Sequence, residues 1–413
     1  MASGRAPHCW RNALAVGLKL GLLGFGGPAA HAAMLQDEVC ERRRWMSRES
    51  FLDLLGAVNL IPGPNSSEMV IEIGRRRAGP LGAVLAGLGF LVPAVVMTAV
   101  LAWAYVRYGH LPVATGFLAG INPAILAVIL TAIVKLVRPA IKDWRLGLVA
   151  SAILVVGFVR GQELLLLALG AGVGTLWRWQ TQSGRDAAPA PPTPPPASTG
   201  ALTGLAVGNA TLGAAGGLGI LGAGAGTVLA KLFGFFLVVG SVLYGSGYVL
   251  IAFLEGTLVR NWQWLTRQEL LDAVAAGQLT PGPLLTTATF VGYLVGAHQG
   301  PGYAIPAALL ATLGIVLPSF LLVLLLGRHL PRLRQIRWTS QLLDAVSASA
   351  LGLMAAVWLK LGHATLFPPG LGGLDWRAAV VTVIGLVAVL RLRLNFAWVV
   401  LGGALVGYGL GRL

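Results

Sequence analysis

Apolar side chains run along this chain in long unbroken blocks separated by short polar stretches. That is the pattern of helices crossing a bilayer, not of amphipathic helices around a soluble core. Blocks at roughly 12–36, 51–73, 80–106, 113–137, 229–254, 270–297, 303–327 and 340–361 carry almost no charge. Each is long enough to cross about 30 Å of hydrocarbon as an α-helix. Shorter apolar runs at 146–159, 162–177, 378–390 and 395–411 are near or below spanning length, so they either cross singly or fold back as hairpins. The pattern predicts an all-α integral membrane protein with about 10–13 transmembrane segments.

Two interruptions stand out against this background. Pro62-Gly63-Pro64 and Pro281-Gly282-Pro283 each sit inside apolar sequence and are followed by hydroxyl side chains. Proline removes a backbone donor and clashes with the preceding turn, so each motif predicts a helix broken at membrane depth. The motifs are 219 positions apart (281 − 62 = 219), and the same offset pairs Gly26 with Gly245, Trp45 with Trp264, Arg48 with Arg267, Asp53 with Asp272, and Asn59 with Gln278. Further on the offset becomes 225 (318 − 93 = 225), pairing Pro93 with Pro318 and Lys135 with Lys360. The chain therefore reads as two homologous helical repeats, 1–179 and 229–413. A linker at 180–228 joins them: its Pro, Ala, Ser and Thr around 191–196 have no periodicity, and its Gly- and Ala-rich end is open to being an extra span. Arg75 to Arg77 and Arg138 to Arg145 fall in even-numbered loops of the first repeat, whereas Arg328, Arg332, Arg334 and Arg337 fall in an odd-numbered loop of the second. That asymmetry predicts inverted topology, although Arg42 to Arg44 in the first loop pull the other way.

Composition agrees: 56% hydrophobic residues, 11% charged and a mean hydropathy of +0.77 exclude a soluble domain of this length. The net charge of +15 would suggest nucleic acid in a soluble protein, but here the basic residues sit at the ends of apolar spans, as topology signals and contacts for anionic lipids. No nucleic-acid partner is expected. Cys9 and Cys40, and six scattered histidines, have no ligand spacing, so neither a metal site, a cofactor nor an enzyme active site is expected. Met1 to Arg11 is too polar, and the run after it too long, for a cleaved leader. Oligomeric state stays open, with a homodimer among the options.

Gly24-Phe25-Gly26-Gly27-Pro28-Ala29-Ala30-His31, then Trp45, then Asn59-Leu60-Ile61-Pro62-Gly63-Pro64-Asn65-Ser66-Ser67-Glu68 resemble the signature of the chromate ion transporter (CHR) family. Gly240-Ser241-Val242-Leu243-Tyr244-Gly245-Ser246-Gly247 and Thr280-Pro281-Gly282-Pro283 repeat it. The resemblance covers almost the whole chain except the linker and is closest to the long, two-domain members. It implies a secondary active transporter that exports chromate across the bacterial inner membrane by alternating access and confers chromate resistance, with sulfate as competitor. The alternative is a carrier of sulfate or another small oxyanion, with inward transport included.

An oxyanion needs convergent donors, and backbone N–H groups at the start of a half-helix supply them without side-chain cost. Pro62, Gly63 and Pro64 are expected to leave the amides of Asn65, Ser66 and Ser67 free; Pro281, Gly282 and Pro283 are expected to do the same with Thr286 and Thr287. Gly26, Gly27, Gly245 and Gly247, with Ser246, let backbone approach closely. Lys19 lies within an apolar span and is the candidate cation. Glu68, Glu72 and His31 are the candidates for proton coupling, with a surface pair to Arg75 or Arg76 as the competing role for Glu72. Asp53 and Asp272 read as caps or as partners of Arg48 and Arg267.

Overall fold

Glycine and proline decide where the helices stop. The computed structural model describes residues 9–25, 27–109, 111–159, 162–183, 224–244, 247–300, 302–327, 337–368, 373–392 and 394–410, and all the regular structure among them is helical. The first series is α1 (Cys9–Leu23), α2 (Gly27–Gln36) running on into a π-helical stretch Asp37–Arg42, α3 (Arg48–Val58), α4 (Ser66–Tyr108), α5 (Pro112–Ala140), α6 (Trp144–Val159) and α7 (Glu163–Ser183). The second is α8 (Ala225–Val242), α9 (Val249–Phe253) running on into a π-helical stretch Leu254–Asn261, and α10 (Arg267–Leu279). A short 3₁₀ turn (Leu284–Thr286) then leads into α11 (Thr287–Gln299), α12 (Ala304–Leu326), α13 (Arg337–Leu366), α14 (Trp376–Leu390) and α15 (Phe396–Leu410).

The order of elements is similar in the two series, with the single helix α4 of the first standing where the second has the 3₁₀ turn, α11 and α12. The helices α3 and α10 even start the same way: the Ser47 hydroxyl accepts from Ser50 N–H, and the Thr266 hydroxyl accepts from Glu269 N–H in a full capping box. Among the described residues five helices are long and apolar enough to cross a bilayer: 66–108, 116–140, 225–242, 304–326 and 338–366. Large apolar side chains such as Val96, Trp103, Ile305, Leu325 and Trp398 point outward from the bundle, where only lipid would accept them.

The sequence blocks and the helices differ in instructive places. The blocks 12–36 and 229–254 read as continuous, yet the chain leaves the helix at Gly24–Phe25 and again at Leu243–Tyr244. Gly27 sits at φ +80, a backbone conformation that no helix continues through. Conversely, α4 runs through the polar stretch between blocks 51–73 and 80–106, leaving helical geometry only at Ala78 and Gly79 (φ 69, ψ −156). The second series has a loop in the corresponding place, with Gly300 at φ +134. The helix α8 begins at Ala225, inside the stretch read as linker; positions 184–223 of that stretch lie outside the described residues.

The two series are interlocked rather than side by side. Helix α5 packs against α14 and α15, α13 packs against α6 and α7, and α5 and α13 also pack on each other. Small residues allow the approach: a Cβ on Gly120 would lie 2.6 Å from Gly407 Cα, and one on Gly174 would lie 2.8 Å from Ala345 Cβ. Lys360 donates to the Gly157 carbonyl (2.7 Å) and Lys135 lies 5.0 Å from the Phe396 ring, so each basic side chain reaches the other series.

Candidate functional site

Each Pro-Gly-Pro break is held by the opposite series. Gly63 N–H donates to the Leu243 carbonyl (2.6 Å), and Gly282 N–H donates to the Gly24 carbonyl (2.8 Å). Gly24 and Leu243 are themselves 219 apart (243 − 24 = 219), so this is one interaction made twice. A Cβ on Gly282 would lie 2.6 Å from Ala94 Cβ, and one on Gly63 would lie 2.8 Å from Ser319 Oγ. Ala94 and Ser319 are again related, at 225 (319 − 94 = 225). Both glycines have positive φ, +142 and +102, so only glycine fits these turns without strain. The loop before α9 touches both breaks: Leu243 bonds Gly63, while Gly247 sits against Leu284. Gly26, Gly245 and Ser246 lie outside the described residues.

The expectation of free backbone amides needs correction. Ser66 N–H donates to the Pro64 carbonyl (2.6 Å) and Thr286 N–H to the Pro283 carbonyl (3.1 Å), while Thr287 N–H reaches the Leu284 and Leu285 carbonyls. The hydroxyls of Ser66 and Thr286 turn back onto the same proline carbonyls. A proline carbonyl freed by the break is the nearest acceptor, and it takes the donors that the sequence alone would assign to a ligand. What stays unsatisfied is one residue further on. Among the described residues, Ser67 Oγ and Thr287 Oγ1 are buried without a hydrogen-bond partner, and so is the Nε2 of Gln278, whose carbonyl oxygen accepts a long bond from Tyr248 (3.4 Å). Buried orphan donors are rare and call for an occupant. Gln278 was not among the sequence candidates; its pairing with Asn59 was the available signal.

The candidate acids separate clearly. Glu68 is fully buried at the start of α4, and neither carboxylate oxygen has a partner of good hydrogen-bond geometry among the described residues. The Ser319 hydroxyl lies beside it but donates to the Pro62 carbonyl (3.0 Å). Glu72, equally buried, accepts from Arg75 (2.6 and 2.8 Å) and Arg76 (2.9 Å). Two guanidiniums satisfy it. His31 is buried edge-on to Phe90, with Nε2 2.8 Å from the same Gly24 carbonyl that accepts from Gly282, and with Nδ1 unpartnered. Lys19 donates to Glu38 (2.5 Å), which also accepts from Arg43 (2.7 Å). Burial acts to raise the Glu38 carboxyl, but hydrogen bonds from Lys19 and Arg43 outweigh it and hold the group below its ordinary range. Asp272 does not pair with Arg267 as expected: it is buried and accepts from Tyr105 O–H (2.8 Å) and the Gln268 amide. Its counterpart Asp53 is exposed.

A cavity of about 570 Å³ opens beside the first break, lined by Asn59 and Asn65, by Tyr244 of the opposite series, and by the α13 stripe Ser340, Asp344 and Ser347. Asn65 is held at φ +59, which turns α4 into its new direction. No group of three or more metal-ligating side chains exists among the described residues.

Broken helices that hold unsatisfied polar groups inside an apolar bundle define a membrane transporter. The family model described as Chromate transporter matches residues 12–175 and 230–408, and the chain belongs to that family, one of transporters rather than enzymes. It is similar to a "Chromate transport protein" of Cupriavidus metallidurans, 28% identical over 94% of this chain and 90% of the relative. A "Chromate transport protein" of Pseudomonas aeruginosa is 29% identical over 87% of this chain and 82% of the relative. A "Probable chromate transport protein" of Synechococcus elongatus is 28% identical over 84% of each. No solved structure matches the chain. It is a multi-pass membrane protein, and its bacterial relatives point to the inner membrane.

Proposed function

We propose that this protein exports chromate across the bacterial inner membrane by alternating access, and that its two series of helices are inverted repeats. The observation that carries the reading is the set of buried orphan donors at the breaks, Ser67, Thr287 and Gln278. Hydroxyl and amide N–H groups fixed in an apolar bundle suit a tetrahedral dianion, whose oxygens are acceptors only. The paired bonds Gly63 to Leu243 and Gly282 to Gly24 supply the two-state element: opening one side loosens one of them and leaves the other as pivot. Gly247 belongs to the loop that carries the Leu243 acceptor, and Gly27 opens the helix that follows the Gly24 acceptor.

Glu68 is the coupling residue in this scheme. A dianion and an ionised Glu68 repel, so the anion is held when Glu68 carries a proton. Chromate and the proton on Glu68 together move one net negative charge (−2 + 1 = −1), which an inside-negative potential drives outward with about 2.3 kcal/mol per 100 mV. The exported proton works against an alkaline interior, so the potential is the driving term, and resistance to chromate follows from export.

Inverted membrane vesicles carrying the protein test this with labelled chromate. Accumulation that falls when the potential is collapsed and is inhibited by excess sulfate is expected. Sulfate flux without chromate uptake would overturn the substrate, and uptake indifferent to the potential would overturn the driving force.

A further inference from the structure

The cavity beside the first break ends at a cluster of charges that neither the candidate site nor the family description accounts for. Asp344, on the same α13 face as Ser340 and Ser347, accepts from Lys142 Nζ (2.6 Å) and from Arg178 (2.8 Å). Lys142 and Asp344 both line the cavity. The three charges come from both series: Lys142 follows α5, Arg178 is on α7, and Asp344 is on α13. Arg178 also lies 3.3 Å from Asp143. Asp344 and Arg178 are each only 13% exposed, whereas Lys142 is 51% exposed.

A carboxylate on two basic groups at the end of a cavity lined by Asn59, Asn65, Tyr244 and Ser347 occupies the place an arriving anion would seek. Its oxygens use the donors that a tetrahedral oxyanion would use. Resting on the transport reading above, we propose that this cavity is the waiting site for the substrate oxyanion, and that Asp344 is an internal anion which the substrate displaces from Lys142. The site takes small tetrahedral dianions, chromate and sulfate alike. It admits them by exchange: the anion gains Lys142 as Asp344 falls back on Arg178, so the wall is never left with an unpaired buried charge. Monovalent anions carry half the charge and displace Asp344 less readily.

The exchange predicts opposite effects from the two partners of one ion pair. Asp344→Asn removes the competitor, and the KM for chromate falls about 5-fold; Lys142→Gln removes the cation, and KM rises about 5-fold, each the scale of one partly exposed charge pair. A purely structural pair would instead lose transport or abundance in both variants. Flux in inverted vesicles is normalised to protein in the membrane, and sulfate-induced stabilisation in detergent provides a second measurement if Asp344→Asn transports poorly. Asp344→Asn should be stabilised at lower sulfate concentration than the unsubstituted protein, and Lys142→Gln at higher. KM values and stabilisation that move together, or not at all, overturn the exchange while leaving the transport reading intact. Absence of any anion flux in the unsubstituted protein overturns the transport reading and the waiting site with it.

Discussion

The two Pro-Gly-Pro breaks have the same backbone and different chemistry. Around the first stand Glu68, the Glu72 pair with Arg75 and Arg76, and the charged cavity end at Lys142 and Asp344. Around the second the corresponding positions are neutral: Thr287 stands where Glu68 would be, and Ala94 faces Gly282 where Ser319 faces Gly63. Yet each glycine donates to the corresponding carbonyl of the opposite series, Gly63 to Leu243 and Gly282 to Gly24. Two similar backbone turns thus supply the frame, and the charged side chains gather around only one of them.

The sharpest way to break this comparison is to disturb the frame on one side at a time. Gly63→Ala should reduce chromate flux at least about 100-fold, because its Cβ meets the Glu68 carboxylate and Ser319 at a backbone angle only glycine tolerates. Gly282→Ala should lose about 10-fold or more, since it meets the same glycine-only backbone angle but only one methyl group, Ala94 Cβ, in close contact. Flux per membrane-inserted protein decides, and equal losses would say that frame rather than chemistry dominates both sides. Next, Glu68→Gln, a fixed stand-in for the protonated form that holds the anion, should flatten the pH profile and leave flux near its low-pH level, whereas Thr287→Val should raise KM about 5-fold and leave the profile unchanged.

Smaller effects are expected from the pair at Lys19. Because Glu38 is held below the ordinary glutamate range, the stability it gains from Lys19 and Arg43 is present above about pH 4.3 and is lost only as pH falls below that. Glu38→Gln and Lys19→Ala should therefore reduce stability and flux by a similar few-fold factor, with no pH dependence between about pH 6 and 8. A loss confined to Lys19→Ala would show that this lysine serves the anion directly. Least of all, Gly234→Ala should be neutral or stabilise by up to about 1 kcal/mol, because nothing lies within 4 Å of its Cβ position. Thermal melting in detergent checks it.

Much of this was legible before any coordinates. The offset of 219 between Pro62 and Pro281 extends to Gly24 with Leu243, and the later offset of 225 extends to Ala94 with Ser319, pairs that reveal their role only in space. Glu68 was legible as an acid beside a break. The acceptors of Ser66 and Thr286 were not, since a freed proline carbonyl competes for their donors only once the turn has its shape. Nor was Gln278, a polar residue near the end of an apolar helix, or the partner of Lys19, which lies across a break in what reads as one continuous span.

What the sequence by itself determined is the class of protein and the two places where Pro-Gly-Pro stops a helix, because hydropathy, proline and glycine act locally on the chain that carries them. Only the tertiary structure decided that each break is gripped by the other series and that α5 and α13 change sides. It also decided which buried polar groups among the described residues end with a partner and which do not. Those outcomes depend on which distant segment fills the space beside a residue, and no local pattern specifies that.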